Sequence, residues 1–377
     1  MGEGAPIRAL VDATAIPEDL GGVGRYLQGL IPALAGPGVE IVVIARATVI
    51  PQLPLEGITV VRLGSWSDRP ALRLLWEQLR LPALARRLRA DIIFSPHYTF
   101  PLLTRRRRAV TLHDATFFTD PEMHSVVKRV FFRTWTRLAL RHVDAVITPT
   151  RASLEEIERA TGLRPRIATV AHHGVDRHAF HPPSASEVAQ FAARFNVGQT
   201  GWIAFLGTLE PRKNLTGLVR GFSLAFADRA ADAPVLVLAG AQGWDSRLDD
   251  VLAEVPSRLR VVKTGYLPLD ELPALLGGAL VVAYPSLREG FGLPVLEALA
   301  CGACVLTTRR PALPEVGGDA VAYTEVDEAS IAGALLTLVS DDAMRETLRA
   351  VAPARAALFT WEASADAHRR AFIEAVA

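Results

Sequence analysis

Two stretches of this sequence combine cations, carboxylates and glycines in a pattern suited to a phosphorylated ligand. The first is Gly207-Thr208-Leu209-Glu210-Pro211-Arg212-Lys213-Asn214, which follows an apolar run at 202–206. Only three of the 41 basic residues are lysines, so Lys213 beside Arg212 at a strand-to-helix corner stands out. Lysine brings a point charge and arginine a planar fork, and both suit a pyrophosphate. The competing reading is a solvated helix start, although a cation there opposes the helix dipole. The second stretch runs from Pro285 to Glu297 and reads Pro-Ser-Leu-Arg-Glu-Gly-Phe-Gly-Leu-Pro-Val-Leu-Glu. Pro294 suits a first helical turn. The backbone of Gly290, Phe291, Gly292 and Leu293 can therefore offer successive N–H groups to hydroxyls or phosphate oxygens. Glu289 precedes that helix and Glu297 lies one turn inside it, a spacing that spreads two carboxylates along a ligand. Carboxylates accept well from vicinal hydroxyls, which a sugar ring and a ribose both carry. Two surface glutamates near a helix start are the plainer alternative.

A third stretch, Gly21-Gly22-Val23-Gly24-Arg25-Tyr26, leads into a helical period. Its glycines admit close backbone approach and the helix start offers N–H groups to an anion. It lacks the G-x-G-x-x-G spacing and a following acidic ribose ligand, so a nicotinamide dinucleotide is a weak reading and a plain β–α turn competes. The only cysteines, Cys301 and Cys304, have redox-like spacing. They follow an apolar helical period instead of opening a helix after a strand, and no second pair or nearby histidine completes a zinc set. Buried small residues are expected there.

The elements that must hold these residues alternate between β-branched runs and helical periods, the mark of parallel α/β layers. Strands are expected at 7–12, 41–45, 58–63, 91–94, 109–113, 144–148 and 167–172, with helices at 23–34, 71–88, 126–141 and 153–160. A stretch at 178–186 containing Pro182-Pro183 reads as a linker. The alternation then restarts, with strands at 202–207, 235–239, 260–264, 280–284, 305–308 and 320–323 and helices at 215–227, 269–276, 293–300 and 331–339. Two Rossmann-like domains would face each other across a cleft at the carboxyl edges of their sheets, where open α/β folds bind ligands.

Composition narrows the partners. The chain has 377 residues, 50% hydrophobic and 21% charged, with a formal charge of +1. That balance argues against disorder and against a dedicated nucleic-acid binder. The charge is split: residues 1–183 hold 24 basic and 17 acidic residues, the remainder 17 and 23. The opening Met-Gly-Glu-Gly-Ala-Pro has no basic, then apolar, leader pattern. The uncharged run 272–287 is too short and too broken by Pro273, Gly277, Gly278 and Pro285 to cross a membrane. A cytoplasmic protein is expected, either free or held peripherally at the inner membrane face.

These motifs resemble the retaining glycosyltransferases of family 4, which have the GT-B fold, and the likeness covers nearly the whole chain. It is carried by Gly21-Gly22, His113-Asp114, Gly174-Val175-Asp176, Glu210-Pro211-Arg212-Lys213-Asn214, the Glu289-to-Glu297 element, Ala300-Cys301-Gly302, Leu313-Pro314-Glu315, Gly318-Asp319-Ala320 and Phe359-Thr360-Trp361-Glu362. The resemblance implies an acceptor-binding domain at 1–183, a nucleotide-sugar-binding domain at 184–358, and a last helix at 359–377 crossing back onto the first. It implies that Glu297 accepts the ribose hydroxyls and that Glu289 with the Phe291–Gly292 backbone holds the donor sugar. Arg212 and Lys213 would neutralise the diphosphate with help from Gly22, His113 would face the donor sugar, and Tyr266 and Leu267 would lie near the base. Thr208 stands where many members carry arginine, Arg288 where an aromatic or another residue is common, and Cys304 where a proline is common.

The implied chemistry is hexose transfer with retention of configuration, needing no cofactor. No Asp-x-Asp element is present, so protein cations would do what a metal does elsewhere, and the leaving phosphate oxygen would act as base. The wording around Glu210–Asn214 resembles bacterial mannosyltransferases of surface-polysaccharide assembly, making GDP-mannose the leading donor and a UDP-sugar acting with a soluble metabolite the alternative. A glycoside hydrolase would need two carboxylates but no paired cations. A sugar-nucleotide epimerase and a non-catalytic glycan-binding subunit are further alternatives. For the acceptor, a saccharide or lipid-linked saccharide, His97, Tyr98 and Phe117 would line the pocket. Residues 62–108 hold 11 arginines, including the run 105–108, against Asp68, Glu77 and Asp91. A solvated face is one reading of them; attraction to an anionic membrane, with Trp66, Trp76 and Leu81 inserting, is the other.

Overall fold

The computed structural model describes residues 6–16, 21–36, 38–229 and 232–377, so the opening segment read for a leader lies almost wholly outside the described residues. The chain forms two compact units. One comprises the residues up to Gly174 together with Phe359–Ala377, and the other is Val175–Leu358. The division thus falls after Gly174 and not after residue 183. Pro182 and Pro183 lie against Gly302 and Gly277 of the second unit, which draws the segment before them to that side. The expected linker also ends early. Ser184 and Glu187 make a reciprocal capping box that starts the helix Ala185–Phe195.

The first unit holds a parallel sheet of seven strands: β1 (Ile7–Asp12), β2 (Val39–Arg46), β3 (Thr59–Leu63), β4 (Ile92–Ser95), β5 (Arg107–Thr111), β6 (Ala145–Thr148) and β7 (Ile167–Val170), in the order β3-β2-β1-β4-β5-β6-β7. The second holds six: β8 (Trp202–Leu206), β9 (Val235–Ala239), β10 (Val261–Gly265), β11 (Val281–Tyr284), β12 (Val305–Thr308) and β13 (Ala322–Thr324), in the order β10-β9-β8-β11-β12-β13. Each expected strand is present. Central strands such as β8 and β11 are buried along their whole length, as parallel strands covered on both faces must be. Strand order reverses between β1 and β4 in the first sheet and between β8 and β11 in the second. The carboxyl ends beside those reversals are where doubly wound folds take ligands.

The single helix expected at 71–88 is two, Pro70–Leu79 and Leu81–Arg87. Pro82 carries no N–H to continue the ladder. The helix Trp361–Val376, capped by the Thr360 hydroxyl, returns to the first unit. Phe372 packs with Val11 and Phe94 in the core of that unit. A Cβ at Gly29 would sit 2.0 Å from the Trp361 ring, so this docking needs glycine there. At the other end of the helix contact, Tyr26 donates its hydroxyl hydrogen to Nε2 of buried His368 over 2.6 Å, since His368 Nδ1 donates to Ser364 O.

Candidate active site at the carboxyl edges of the sheets

In the second unit, the turn after β8 and the loop after β11 meet at the switch point. The turn residues Pro211–Lys213 form one 3-10 turn that ends on Asn214 in the left-handed region. This puts Lys213 inward, 6% exposed, and not on a solvated helix start. Its Nζ donates to Glu289 Oε1 over 2.6 Å and to the Tyr284 hydroxyl. Glu289 Oε1 also accepts from the hydroxyls of Tyr284 and Ser286, each at 2.8 Å. The other oxygen, Oε2, takes Arg212 Nη1 at 2.5 Å, and Arg212 Nη2 bonds Glu210 Oε1 at 2.5 Å. Two carboxylates and two cations therefore form one buried, charge-balanced cluster. Burial alone would push the Glu289 carboxyl up, but the charges of Arg212 and Lys213 and their hydrogen bonds hold it down at about 2. Burial and the Arg212 charge push the Lys213 ammonium down from its ordinary value, against Glu289 and Glu210.

Beside this cluster, the loop reaches Gly292 at φ 103°, a left-handed conformation that favours glycine. The helix Leu293–Ala300 starts there, with Pro294 in its first turn. Gly290 and Phe291 precede it, and Phe291 is 4% exposed. Glu297 lies inside that helix, 3% exposed, and its charge adds to the burial that raises the Cys301 thiol. Cys301 and Cys304 are free and buried, as expected of small core residues, and burial lifts Cys304 to about 11. After β10, Tyr266 is exposed and Leu267 buried, so of the pair only Tyr266 offers a ring face to a ligand. Glu210, Tyr284 and Ser286 belong to the site although sequence reasoning assigned them no role in it. Glu210 had a signal, two residues before Arg212, but the two hydroxyls had none.

In the first unit, Gly21 and Gly22 open the helix Gly22–Leu34. Both have ordinary backbone angles, and a Cβ on either would meet nothing within 4 Å, so the fold itself does not demand glycine at these positions. His113, after β5, donates from Nε2 to Pro96 O over 2.9 Å, which leaves Nδ1 with its lone pair. Burial pushes its pKa down, keeping the ring neutral. Tyr98 packs edge-on to Phe117 at 5.7 Å between ring centres. His97, 8% exposed after β4, stands 3.8 Å from Asp12 at the end of β1, with Glu77 in the same buried cluster.

The basic run enters β5 instead of preceding it. Arg107 pairs with Asp144 at 3.0 Å, and Arg108 donates to His142 O over 2.6 Å. Leu81 is fully buried and so is not an inserting residue, Trp76 packs partly into the core, and Trp66 is 40% exposed. Among the described residues, no helix is long and apolar enough to cross a membrane.

Comparison with known proteins agrees with this geometry. Residues 20–179 match the family model described as Glycosyltransferase Family 4, and residues 189–355 match that of Glycosyl transferases group 1. The chain is 31% identical over 364 residues to O-antigen chain mannosyltransferase B of Escherichia coli, covering 91% of this chain and 93% of that one. It is 28% identical to the D-inositol 3-phosphate glycosyltransferase of Corynebacterium jeikeium, over 94% and 92% of the two chains. Among solved structures, Anabaena HepE in complex with UDP-glucose superposes with a TM-score of 0.77 at 18% identity, covering 96% and 97% of the chains. With two parallel Rossmann-like sheets and relatives of this kind, the chain belongs to glycosyltransferase family 4, an enzyme family of GT-B fold.

Proposed function

We propose that this enzyme moves a hexose, with mannose from GDP-mannose as the leading donor, to a saccharide or lipid-linked acceptor, with retention of configuration and without a metal. The observation that carries this reading is the cluster of Glu210, Arg212, Lys213 and Glu289 at the second switch point. Lys213 Nζ has three hydrogens, and Glu289 and Tyr284 take two of them. The third is left for a phosphate oxygen. Arg212 keeps 24% of its side chain exposed beside Lys213, so its positive charge is not sealed off from a ligand. Negative charge grows on the diphosphate as the anomeric bond breaks, and cations already fixed in place stabilise it without reorganising. The departing phosphate oxygen then takes the acceptor proton on the same face. Glu289, ionised and with both oxygens engaged by donors, is poorly suited to attack the anomeric carbon and serves to anchor the cations. The mannose preference is supported by the named function of the E. coli relative.

Two observations favour variants of this reading. HepE was solved with UDP-glucose and the C. jeikeium relative is named for inositol 3-phosphate, so a UDP-sugar and a soluble acceptor form the second reading. For the acceptor's setting, the helix Pro70–Leu79 exposes Leu72, Leu75 and Leu79 in a region rich in arginine. That combination suits peripheral contact with anionic lipid at the cytoplasmic face.

Calorimetry with GDP, UDP and their sugars tests the donor. GDP-mannose should bind most tightly, and activity should survive chelation; a strict divalent-metal requirement overturns the cation-based account. Glu297→Ala should weaken nucleoside diphosphate binding. Glu289→Ala should leave that binding equal or stronger, because two cations lose their internal counter-charge. Equal losses in both would mean that the donor lies the other way round.

A further inference from the structure

Along the carboxyl edge of the second sheet the strands run in the order β10, β9, β8, β11, with neighbours about 4.8 Å apart. The charged cluster occupies the β8 turn and the β11 loop. The two loops beside it carry a different chemistry. The loop after β9 holds out Trp244, 62% exposed, and the loop after β10 holds out Tyr266, 76% exposed. Among the described residues neither ring stacks on another or makes a hydrogen bond.

The Trp244 loop is nevertheless fixed to the site. Leu209 N donates to Ala241 O at 3.1 Å, and Asp245 N donates back to Leu209 O at 3.4 Å. A Cβ on Gly243 would lie 2.0 Å from Leu209 O, so the residue before Trp244 must be glycine for the two backbones to meet. On the other side of Trp244, buried Asp245 accepts the Arg247 N–H on Oδ1 at 3.2 Å. Gly240 N donates to Gly265 O at 2.9 Å, which ties this loop to the strand end before Tyr266.

A single exposed aromatic ring needs no explanation. Two on consecutive loops, laced by backbone bonds to the turn that carries Glu210, Arg212 and Lys213, do. The edge presents flat apolar faces at β9 and β10 and fixed cations at β8. A ligand complementary to both has a planar ring at one end and a polyanion at the other. A nucleotide lying across the strands meets that description, with its base against the aromatic loops and its diphosphate at the cluster. Stacking strengthens with the ring area in contact, so two faces reward a two-ring purine over a one-ring pyrimidine.

We propose that Trp244 is a base-stacking residue of the donor site and that, with Tyr266, it selects a purine nucleotide over a pyrimidine one. This rests on the transferase reading above and deepens it. Family resemblance implies Tyr266 and Leu267 at this end of the donor; it does not imply Trp244.

The test is calorimetry on the full chain with GDP, ADP, UDP and inorganic pyrophosphate. In Trp244→Ala, GDP and ADP should lose roughly ten- to hundredfold in affinity, as for a lost base–aromatic stack. UDP should lose less than either, and pyrophosphate, which has no ring, should lose nothing. Trp244→Phe should keep most of the purine affinity. The melting temperature without ligand should hold in both variants, because the ring is exposed; a structural role would lower it and weaken pyrophosphate as well. With a purine sugar nucleotide as donor, the Trp244→Ala loss should fall on KM, since the base contact is the same in ground and transition states. Equal losses for UDP and GDP, unchanged GDP binding, or a loss seen with GDP-mannose but not with GDP each overturns the inference. So does a wild type that binds UDP more tightly than GDP, in which case the transferase reading stands with its UDP-sugar variant. If pyrophosphate and every nucleotide fail to bind the wild type, the transferase reading falls and this inference with it.

Discussion

At the second sheet's switch point Glu289 has both oxygens engaged by four side-chain donors, whereas at the first sheet's switch point buried Asp12 Oδ2 and His97 Nε2 have no hydrogen-bond partner among the described residues. The topology is the same, strand order reversing beside two loops, yet the electrostatics are opposite. One edge is a charge-balanced cluster whose cations are held in place before any ligand arrives. The other is a buried network in which Arg73, Gln78 and Thr99 hold Glu77 and His97 lies 3.8 Å from Asp12. The first arrangement suits a ligand whose charge changes during reaction, because fixed dipoles and cations need not reorganise. Family membership alone would not have separated them, since the fold places ligands at both edges.

The largest effect should come from breaking the charged edge. Lys213→Ala should reduce turnover by roughly 10²–10³, as for loss of one transition-state electrostatic contact. It should also destabilise the protein, because Glu289 and Glu210 then outnumber Arg212 in a buried cluster. Adding Glu289→Gln should restore much of the melting temperature without restoring turnover. If the double variant recovers activity as well, the cations serve stability alone and the comparison collapses.

The two edges should also differ in the sign of their pH dependence. Glu289 has a folded pKa of about 2, below its ordinary 4.5, so the stability it contributes is whole above pH 4.5 and is lost as pH falls towards 2. Glu77 is raised to about 7, first by burial and then by the Asp12 charge. It takes up a proton on folding between pH 4.5 and 7, so its contribution falls as pH rises through that window. His97 and His368, both held to about 4, have the opposite slope, losing stability as pH falls below 6.5. The informative quantity is therefore a difference. The stability of Glu77→Gln relative to wild type should rise between pH 4.5 and 7, by on the order of a few kcal/mol, in denaturant titrations at each pH. A flat difference would mean that Glu77 is ionised throughout.

The second edge was far more legible in sequence than the first. Arg212, Lys213 and Glu289 sit in two short motifs, and each motif is one strand-to-helix corner. Asp12, Glu77 and His97 come from a strand end, a helix interior and a second strand end, and only the parallel register of β1 with β4 brings two of them together. His97 was legible as a lining residue, Asp12 and Glu77 as nothing in particular. Strands were readable because buried parallel strands demand continuous apolar runs. The helix Ala185–Phe195 was hidden by the prolines before it, although Ser184 and Glu187 carry the spacing of a capping box. The helix Asp342–Ala356 was missed because Pro353 falls inside it.

Gly29→Ala asks whether the first edge depends on the returning helix. A methyl group would sit 2.0 Å from the Trp361 ring, so the Trp361–Val376 helix must shift. Overpacking of this kind costs about 1–3 kcal/mol. The loss should appear in the first unit, with hydrogen exchange rising around Tyr26 and His368 while the Lys213 cluster stays protected. Equal loosening of both units would show that their stabilities are not separable.

The smallest effect is expected at the opposite end of the first sheet. Arg107 and Arg108 are tied to Asp144 and His142 O, which leaves exposed Arg105 and its neighbour Arg106 as the residues of the run with charge to offer. Arg105→Ser with Arg106→Ser should weaken binding to vesicles containing anionic lipid by about 1 kcal/mol per residue. Neither side chain should matter to the chemistry. From Arg108 to His113 the chain can span at most about 18 Å, beyond the ~10 Å screening length at 0.1 M salt. The vesicle effect should therefore fade as salt rises, with donor turnover unchanged. Arg107→Ser should instead lower the melting temperature slightly, because it removes the 3.0 Å ion pair with Asp144. If the wild type fails to bind such vesicles even at low salt, the exposed leucines of Pro70–Leu79 face no membrane. A soluble acceptor then becomes the one to pursue.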